Sequence, residues 1–491
     1  MRDALFHLPP IEGVGLQAQV REMLVSAILS RRLAAGEAVP SSRGMAAQLG
    51  VSRNTVTLAY QQLVADGYLE ARERSGYRVA ADAPVADGGE QAAPVAASAW
   101  DALVGDAPEP RRIQKPLNWR EYRYPFVYGQ ADPRLFDHSA WRDCARQAMG
   151  LRNFEAMAGD KGAEDDPLLV DYIRARTLPR RGVSARAEEV LVTGGAQNAL
   201  WLIARLLADR GVAVGIEEPG YPDLREALLR MGVAVRTLPV DEGGLVPDEA
   251  RMGGLGAVFV TPSHHAPTNA TMPLERRRAL LDAASRLGFV IVEDDYDFEL
   301  GFLRKPEPAL KSLDAEGRVA YVGSFAKSLF PGLRLGYLVA PERVVVAARG
   351  LRTLMLRHPP GLGQRTAAYF LALGHHDAHI RRLQGALAKR RAAMDEALTA
   401  AGLDAAGAGF GGASFWLRAP DGLDTGALAE RLRLRGVLIE PGAAFYAGEA
   451  LGAPAPSLDR MRLGYGSIDS ERIGAGVALI AEEVEAMRRA A

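Results

Sequence analysis

Short apolar runs alternate with amphipathic stretches along the middle of the chain, and this alternation constrains the fold more than any other feature. Six runs with the character of strands lie between VLVT at 190–193 and VAYVG at 319–323. Stretches with helical spacing separate them, among them 196–208 and 274–287. Strands that alternate with helices in this way form a mainly parallel sheet covered by helices. We therefore predict an α/β fold for this region.

Composition divides the chain. The segment 81–99 contains eight Ala and no Lys or Arg, and it is too poor in large apolar side chains to build a core. We predict an N-terminal domain, a flexible linker and a C-terminal region. Within the C-terminal region we predict a large domain and a small α+β domain, and the small domain also includes the first residues of that region. The predicted bounds are 1–80, 81–112 and 113–491, with the large domain at about 160–370 and the small one at about 371–491.

Charge and composition exclude several classes of protein. A formal net charge of −1 argues against a globally basic nucleic-acid binder but permits a small DNA-binding domain. The single cysteine, Cys144, excludes an intramolecular disulfide and any cysteine-rich metal site, and we expect it to be a small buried residue. No apolar run approaches the ~18 residues that span a bilayer, and no signal-peptide pattern is present. We expect a cytoplasmic protein with no membrane association.

The first 80 residues have the pattern of a winged helix-turn-helix. Helices are predicted at Leu16–Leu29, from Ser42 to a stop at Gly50, and from a Ser52 cap to Gly67, followed by two short strands that turn at Ser75-Gly76. The second helix and the third, joined by a Gly-containing turn, have the spacing of a DNA-reading pair. A small helical interaction domain with solvated arginines is the alternative. The candidate contacts to DNA are Arg43, Ser52, Arg53, Asn54, Thr55, Arg72, Arg74 and Arg78.

The stretch PSSRGMAAQLGVSRNTVTLAYQQLVADGYLEARERSGYRVA closely resembles the winged helix-turn-helix of GntR-type regulators, and the resemblance covers nearly all of residues 11–80. It implies that Arg43, Arg53, Thr55 and the wing around Gly76 contact a double-stranded DNA operator.

One of only six lysines lies in the segment GSFAKSLFPGLRLGYLVAP at 323–341. Lysine is the side chain that forms a Schiff base with an aldehyde cofactor. Lys327 is flanked by apolar residues, whereas most lysines are solvated surface charges. Ser324 and Arg334, on either side of it, can both hold a phosphate. Lys327 is therefore the strongest candidate for a cofactor lysine.

Three further segments fit a pyridoxal phosphate site, although each has a plainer reading. FVIVEDDYDFEL carries acids at a strand end, where one carboxylate could face a protonated pyridine; a divalent-metal site or a solvated turn is the alternative. VTGGAQNALWL could cradle a phosphate at a helix N-terminus or be an ordinary strand–helix loop. Tyr221 in EEPGYPDLR could stack on a flat ring or simply pack.

Together these four segments resemble, in order and spacing, the fold-type I aminotransferases from about Tyr124 to the C-terminus. The resemblance implies pyridoxal 5′-phosphate on Lys327, with Asp294 at the pyridinium nitrogen, Tyr296 at the ring hydroxyl and Tyr221 on the ring face. It further implies that the cofactor phosphate is held by Ala196, Gln197, Ser324 and Arg334. Arg462, in RMRLGYGS, would hold the α-carboxylate of a ligand.

One segment departs from the aminotransferase pattern. Those enzymes place an Asn-Pro-x-Gly loop beside the ring, whereas this chain has TPSHHAPTNATMP, so that His264 or His265 is expected near the cofactor. The loop and EDDYDFEL resemble the MocR subfamily of GntR regulators, which fuse a winged helix to an aminotransferase-like domain. The change argues against efficient transamination, although residual or half-transamination stays open.

The histidines of HHDAH at 375–379 are expected at a helix–loop boundary on the surface and not in a metal site.

The sequence as a whole predicts a regulator of transcription that binds pyridoxal 5′-phosphate, senses an amino acid or related amine, and binds DNA as a homodimer. A working aminotransferase with an appended DNA-binding module is the alternative, since Lys327, Asp294 and Arg462 are all present. A sensor of the cofactor itself is a third possibility.

Overall fold

The computed structural model describes residues 13–72, 76–83, 115–130, 132–155, 159–160, 162–303, 306–403, 405–406, 412–448, 451–453 and 455–490. The chain divides into two compact units, Met1–Pro108 and Glu109–Ala491. Most of the predicted linker, the turn residue Ser75, Arg74 and two of the six lysines, Lys161 and Lys305, lie outside the described residues. Within the described part of the chain, none of the helices has the length and apolarity needed to cross a bilayer.

The smaller unit is a winged helix-turn-helix, as predicted. Its elements in chain order are α1 (Leu16–Leu29), α2 (Ser42–Leu49), α3 (Arg53–Ala65), β1 (Leu69–Arg72) and β2 (Gly76–Val79). The side chains of Ser41 and Ser52 accept hydrogen bonds from the backbone N–H groups of Gly44 and Thr55, and these caps begin α2 and α3. Gly50, with φ of 66°, ends α2.

The core of this unit is formed by apolar residues of all three helices, including Leu24, Val56 and Leu63. The strands β1 and β2 pair antiparallel, from Leu69 opposite Val79 to Arg72 opposite Gly76. This hairpin is the wing.

The larger unit contains two main sheets. Its strands are β3 (Tyr124–Pro125), β4 (Val190–Thr193), β5 (Val214–Glu218), β6 (Val235–Asp241), β7 (Gly244–Leu245), β8 (Ala257–Val260), β9 (Val290–Asp295), β10 (Val319–Ser324), β11 (Gly336–Val339), β12 (Ala405–Ala406), β13 (Ser414–Arg418), β14 (Val437–Leu438), β15 (Glu440–Pro441) and β16 (Arg460–Gly464).

Helices cover these sheets. They are α4 (His138–Ala148), α5 (Pro167–Tyr172), α6 (Ala196–Ala208), α7 (Pro222–Arg230), α8 (Glu249–Met252), α9 (Leu274–Leu287), α10 (Leu310–Leu313), α11 (Glu342–Leu356), α12 (Gly361–Ala372), α13 (His375–Ala400), α14 (Thr425–Leu434) and α15 (Ser470–Ala490). Cys144, on α4, is buried as expected.

The large sheet has the order β4-β11-β10-β9-β8-β5-β6-β7. The consecutive pairs from β10 to β6 are parallel, whereas β11 runs antiparallel to both β10 and β4. The sheet is therefore mainly parallel, as predicted. Because β4, β5, β8, β9 and β10 point the same way, their carboxyl ends meet at one edge, where open α/β sheets bind ligands.

The small sheet has the order β12-β13-β16-β15, and its described pairs are antiparallel. Its core is continuous with apolar residues of α13 and α15, such as Leu387 and Val477. A separate parallel pair, β3 with β14, brings the segment after Tyr124 beside the segment after Val437. These two segments both reach the candidate site.

Candidate functional site

A cavity of about 310 Å³ opens at the carboxyl edge of the large sheet. Its lining contains every residue for which the sequence predicted a role in holding the cofactor or a ligand carboxylate, apart from the two histidines. These residues are Ala196, Gln197, Tyr221, Asp294, Tyr296, Ser324, Lys327, Arg334 and Arg462. The folded chain thus brings together side chains that are up to 266 positions apart in sequence, from Ala196 to Arg462.

Lys327 lies in the loop that follows β10. Its Nζ is 4.4 Å from the centroid of the Tyr128 ring. Burial lowers the pKa of Lys327 to about 8, and the nearby positive charge of Arg462 contributes to this lowering. A lysine with such a pKa is partly neutral near pH 7, which is the state in which an amine acts as a nucleophile.

Asp294, near the end of β9, is a buried carboxylate with an open oxygen. Its Oδ1 has no hydrogen-bond partner among the described residues. Burial raises the pKa of Asp294 well above its usual range, and Asp295 raises it further. A buried acceptor without a donor fits a ligand that brings its own N–H group.

The neighbouring carboxylate of Asp295 is held in the protein interior through one oxygen, Oδ2, whereas its Oδ1 has no hydrogen-bond partner among the described residues. It accepts hydrogen bonds from Arg181 (Nε–Oδ2 2.6 Å) and Tyr321 (Oη–Oδ2 2.8 Å). Among the residues that the structure describes, no cluster of three or more metal-binding side chains occurs. Of the acidic residues in this run, Asp294 lines the cavity and Glu293, Asp295 and Asp297 do not, so Asp294 is the carboxylate placed to meet a ligand there.

The turn between β4 and α6 forms a narrow cradle. Gly195 has φ of 92°, and a Cβ at this position would lie 3.3 Å from Nη2 of Arg334. A Cβ at Gly336 would lie 2.9 Å from the backbone nitrogen of Ala196. The N-terminus of α6 and the Arg334 guanidinium thus converge where side-chain bulk is excluded, an arrangement that suits a phosphate.

The two tyrosines predicted to contact the ring are each anchored through the hydroxyl group. The hydroxyl of Tyr221 donates to Oδ2 of Asp223 at 3.2 Å. The hydroxyl of Tyr296 donates to the backbone oxygen of His264 at 3.1 Å. Burial raises the pKa of Tyr296 well above its usual range, so its hydroxyl stays protonated and can donate.

The histidine loop places a different residue in the cavity wall. Ala266 lines the cavity. The ring of His264 is directed to Asp297 (Nδ1–Oδ1 2.8 Å), and the ring of His265 to Thr268 (Nδ1–Oγ1 2.7 Å). The methyl group of Ala266 has no hydrogen-bonding capacity toward a ligand.

Tyr128 and Gly129 are residues for which the sequence predicted no role. Two basic groups contact the Tyr128 ring: Cζ of Arg462 lies 4.3 Å and Nζ of Lys327 lies 4.4 Å from its centroid. Gly129 has φ of 73°, and a Cβ there would overlap Nζ of Lys327. The local sequence at these positions, an aromatic residue followed by glycine after a short strand, predicts a turn. It does not indicate that the turn contacts Lys327.

Glu440 is a further residue for which the sequence predicted no role. It lines the cavity, and its Oε2 accepts a hydrogen bond from Nε of Arg462 at 2.6 Å. The two residues face each other across β15 and β16. Arg462, expected to bind a ligand carboxylate, is thus already paired with a carboxylate of the chain.

The prediction for the HHDAH segment was wrong in its placement on the surface. Helix α13 begins at His375, and its first turns bury His376 and His379, with 1% and 3% of their surfaces exposed. The rings of Phe325 and Phe136 pack against these two histidines. The side chains of His376 and His379 therefore lie on the buried side of α13, in the protein interior.

The predicted DNA-contacting residues lie at the surface of the smaller unit. Arg43, Ser52, Arg53, Asn54 and Arg72 are exposed, as is the backbone at Gly76, and Thr55 is half-buried. Arg78 differs, because its Nη1 donates to the backbone oxygen of Gly36 at 3.0 Å and so helps to fix the wing.

Comparisons with known proteins agree with both units. Residues 168–474 match the class I and II aminotransferases, and residues 16–79 match the bacterial regulatory proteins of the gntR family. The chain is 51% identical to the HTH-type transcriptional regulator TauR of Rhodobacter capsulatus, over 97% of this chain and 98% of that protein. It is 35% identical to the probable rhizopine catabolism regulatory protein MocR of Rhizobium meliloti, over 77% and 76% of the two chains.

A solved structure resembles the larger unit. It is LysN, the α-aminoadipate aminotransferase of Thermus thermophilus, complexed with N-(5′-phosphopyridoxyl)-L-leucine. The match has a TM-score of 0.68 and 26% identity, and it covers 77% of this chain and 97% of that one.

Proposed function

This chain belongs to the MocR-type GntR regulators, in which a GntR helix-turn-helix domain is joined to a class I and II aminotransferase domain, and we propose that it regulates transcription in response to an amine sensed through pyridoxal 5′-phosphate on Lys327. One observation carries the proposal: a buried lysine with a lowered pKa shares a cavity with the open carboxylate of Asp294. The winged helix in the same chain supports a DNA operator as the output.

The residues in the cavity fit the cofactor. Asp294 would accept the N–H of its ring, Tyr221 and Tyr296 would contact its face and hydroxyl, and the phosphate would lie in a cradle completed by Ala196, Gln197, Ser324 and Arg334. When bound, pyridoxal phosphate supplies an aldehyde that bonds a primary amine and a ring that withdraws electrons. The phosphopyridoxyl compound in the structure of LysN supports this assignment.

The side chains in the cavity suggest how the protein detects a bound ligand. Arg462 would bind the carboxylate of an amino acid whose amine takes the place of Lys327. Lys327 would then be unattached, with its ammonium near the Tyr128 ring. Any difference in affinity for the ligand between two arrangements of the chain is sufficient to couple this event to DNA binding.

We further propose a cytoplasmic homodimer with domain limits at 1–80, 81–112 and 113–491. The helix α11 leaves Val346, Leu354 and Met355 exposed. An interface between two copies would cover these exposed apolar side chains, and this supports self-association through the larger unit.

The DNA-binding part of the proposal predicts a large effect for one arginine. Arg53→Ala should weaken operator binding by about 1–3 kcal/mol, because Arg53 is exposed in the first turn of α3, where side chains reach base edges. Gel-shift titrations of the operator against unrelated DNA at two salt concentrations would measure the loss and its sequence dependence.

Arg21→Ala is the matched control, because Arg21 forms an ion pair with Asp66 at the opposite end of α3. It should bind the operator as the unmodified protein does. Equal losses in the two variants would contradict a role for α3 in reading DNA.

A working aminotransferase is the second candidate, since Lys327, Asp294 and Arg462 line one cavity. Titrating the cofactor-loaded protein with amino acids and amines, followed by visible absorbance, separates the two. A regulator should give a lasting shift without conversion of the cofactor to its amine form. Rapid conversion that a keto acid reverses over many cycles would establish an enzyme. A response of operator binding to the cofactor alone, with no amine effect, would favour a sensor of the cofactor.

A further inference from the structure

The helix α3 of the smaller unit has a buried side and an open side. The residues on its buried side pack in the core of the unit: Val56, Ala59, Tyr60 and Leu63. The hydroxyl of Tyr60 also donates to the backbone oxygen of Pro40 at 2.8 Å. Because this side is fixed in the core, a partner of α3 can reach only the opposite side.

The open side of α3 carries three exposed residues, Asn54, Leu58 and Gln61, named here the α3 stripe. They are four and three positions apart, so they lie on one face of the helix. Leu58 is 43% exposed, and among the described residues of α2, α3 and the wing it is the only large aliphatic side chain that is exposed. A single exposed leucine is ordinary on a protein surface. What distinguishes Leu58 is its place between two amides on the open side of this helix.

The charge of this surface favours DNA as the partner of the α3 stripe. The helices α2 and α3 contain two exposed arginines, Arg43 and Arg53, and no acidic residue. In α1, by contrast, Arg21 is followed by Glu22. Exposed positive charge without nearby carboxylates attracts the phosphate backbone of a nucleic acid.

The hydroxyl groups near the start of α3 are engaged by the helix itself. Oγ of Ser52 accepts a hydrogen bond from the backbone nitrogen of Thr55 at 3.1 Å, and the two hydroxyl oxygens are 2.8 Å apart. The hydroxyl of Thr57 donates to the backbone oxygen of Arg53 at 2.9 Å. Contacts to base edges beyond the first turn therefore depend on the α3 stripe.

Amide and aliphatic side chains recognise different features of the major groove. Asparagine and glutamine pair with adenine, whereas an apolar side chain contacts the methyl group of thymine. The α3 stripe extends about 10 Å along the helix, or about three base-pair steps. We propose that Leu58 is a specificity-determining residue that contacts the methyl group of a thymine in the operator, between the bases that face Asn54 and Gln61. The inference rests on the proposed function.

Deoxyuridine tests the proposal, because it lacks the methyl group of thymine and pairs with adenine in the same way. The cofactor-loaded full chain first selects duplexes from a pool of random sequence. Each thymine of a selected duplex is then replaced in turn, and affinities are measured by gel-shift titration. At one position the replacement should weaken binding by about fourfold, as expected for one methyl group that is no longer buried.

In Leu58→Ala that same replacement should have no effect, since the two changes remove one shared contact. Replacements at other thymines should keep the effects that they have in the unmodified protein. Leu58→Met retains an apolar side chain and should retain the preference for thymine. Alanine is favourable in helices, so Leu58→Ala should keep the circular dichroism and the melting temperature of the parent protein.

Leu16→Ala is the matched control, because Leu16 is a leucine of α1 that is 51% exposed in the same unit. It should leave both the affinity and its dependence on thymine unchanged. The proposal is overturned if the effect of every replacement persists in Leu58→Ala, or if the selected sequences contain no thymine. Failure of the proposed function is a different result, in which the unmodified protein enriches no sequence from the pool.

Discussion

Lys327→Ala should give a folded protein without the visible absorbance of covalently held pyridoxal phosphate and without any response of operator affinity to amines. Both losses have one cause. Lys327 is the lysine whose Nζ lies beside the Tyr128 ring in the cavity, and burial lowers its pKa to about 8. The amine effect that disappears is expected to be about 5–150-fold in affinity, the usual range of coupling between two sites.

Lys389→Ala is the matched control, because Lys389 is an exposed lysine on α13. It should keep the band and the amine response. Borohydride reduction of the loaded parent protein followed by peptide mapping should place the label on Lys327. A label on another lysine, or an amine response that survives in Lys327→Ala, would contradict the assignment of the cofactor lysine.

Local signals were sufficient to predict many elements from the sequence. The predicted bounds of α1, α6 and α9 agree with the structure. In the smaller unit, Ser41, Gly50 and Ser52 begin and end helices through hydrogen bonds and backbone angles of their own neighbourhood. Such signals depend on residues a few positions apart, and the rest of the fold does not alter them.

Most of the residues predicted for the site line one cavity in the structure, for a topological reason. Asp294, Ser324 and the Gly195 turn all lie at or just beyond the carboxyl ends of strands. Since those strands are parallel, their ends meet wherever the sheet forms. No knowledge of packing was needed for this part of the site.

The residues that escaped prediction depend on contacts that no local pattern encodes. Tyr128 and Gly129 reach Lys327 because β3 pairs with β14, more than 300 residues along the chain. Glu440 meets Arg462 through the register of two short strands. The choice between Ala266 and its histidine neighbours as the cavity-lining residue depends on the partners Asp297 and Thr268. These are properties of tertiary packing.

Gly129→Ala should strongly reduce cofactor binding, although the substitution adds only a single methyl group. A Cβ at this position would overlap Nζ of Lys327, so the lysine would have to leave its place beside Tyr128. The φ of 73° adds about 1–3 kcal/mol of backbone strain for a residue other than glycine. We expect cofactor affinity to fall by more than about tenfold, the equivalent of ~1.4 kcal/mol, as measured by absorbance after dialysis against graded cofactor concentrations.

Gly232→Ala separates the two contributions, because Gly232 has φ of 72° and a Cβ there would meet no atom within 4 Å. It should lower the melting temperature through strain alone and leave cofactor affinity unchanged. Equal effects of the two substitutions on affinity would show that general destabilisation, and not the position of Lys327, accounts for the loss. If Gly129→Ala instead loses the cofactor while Gly232→Ala keeps it, the glycine is needed because Lys327 requires the space that a side chain would fill.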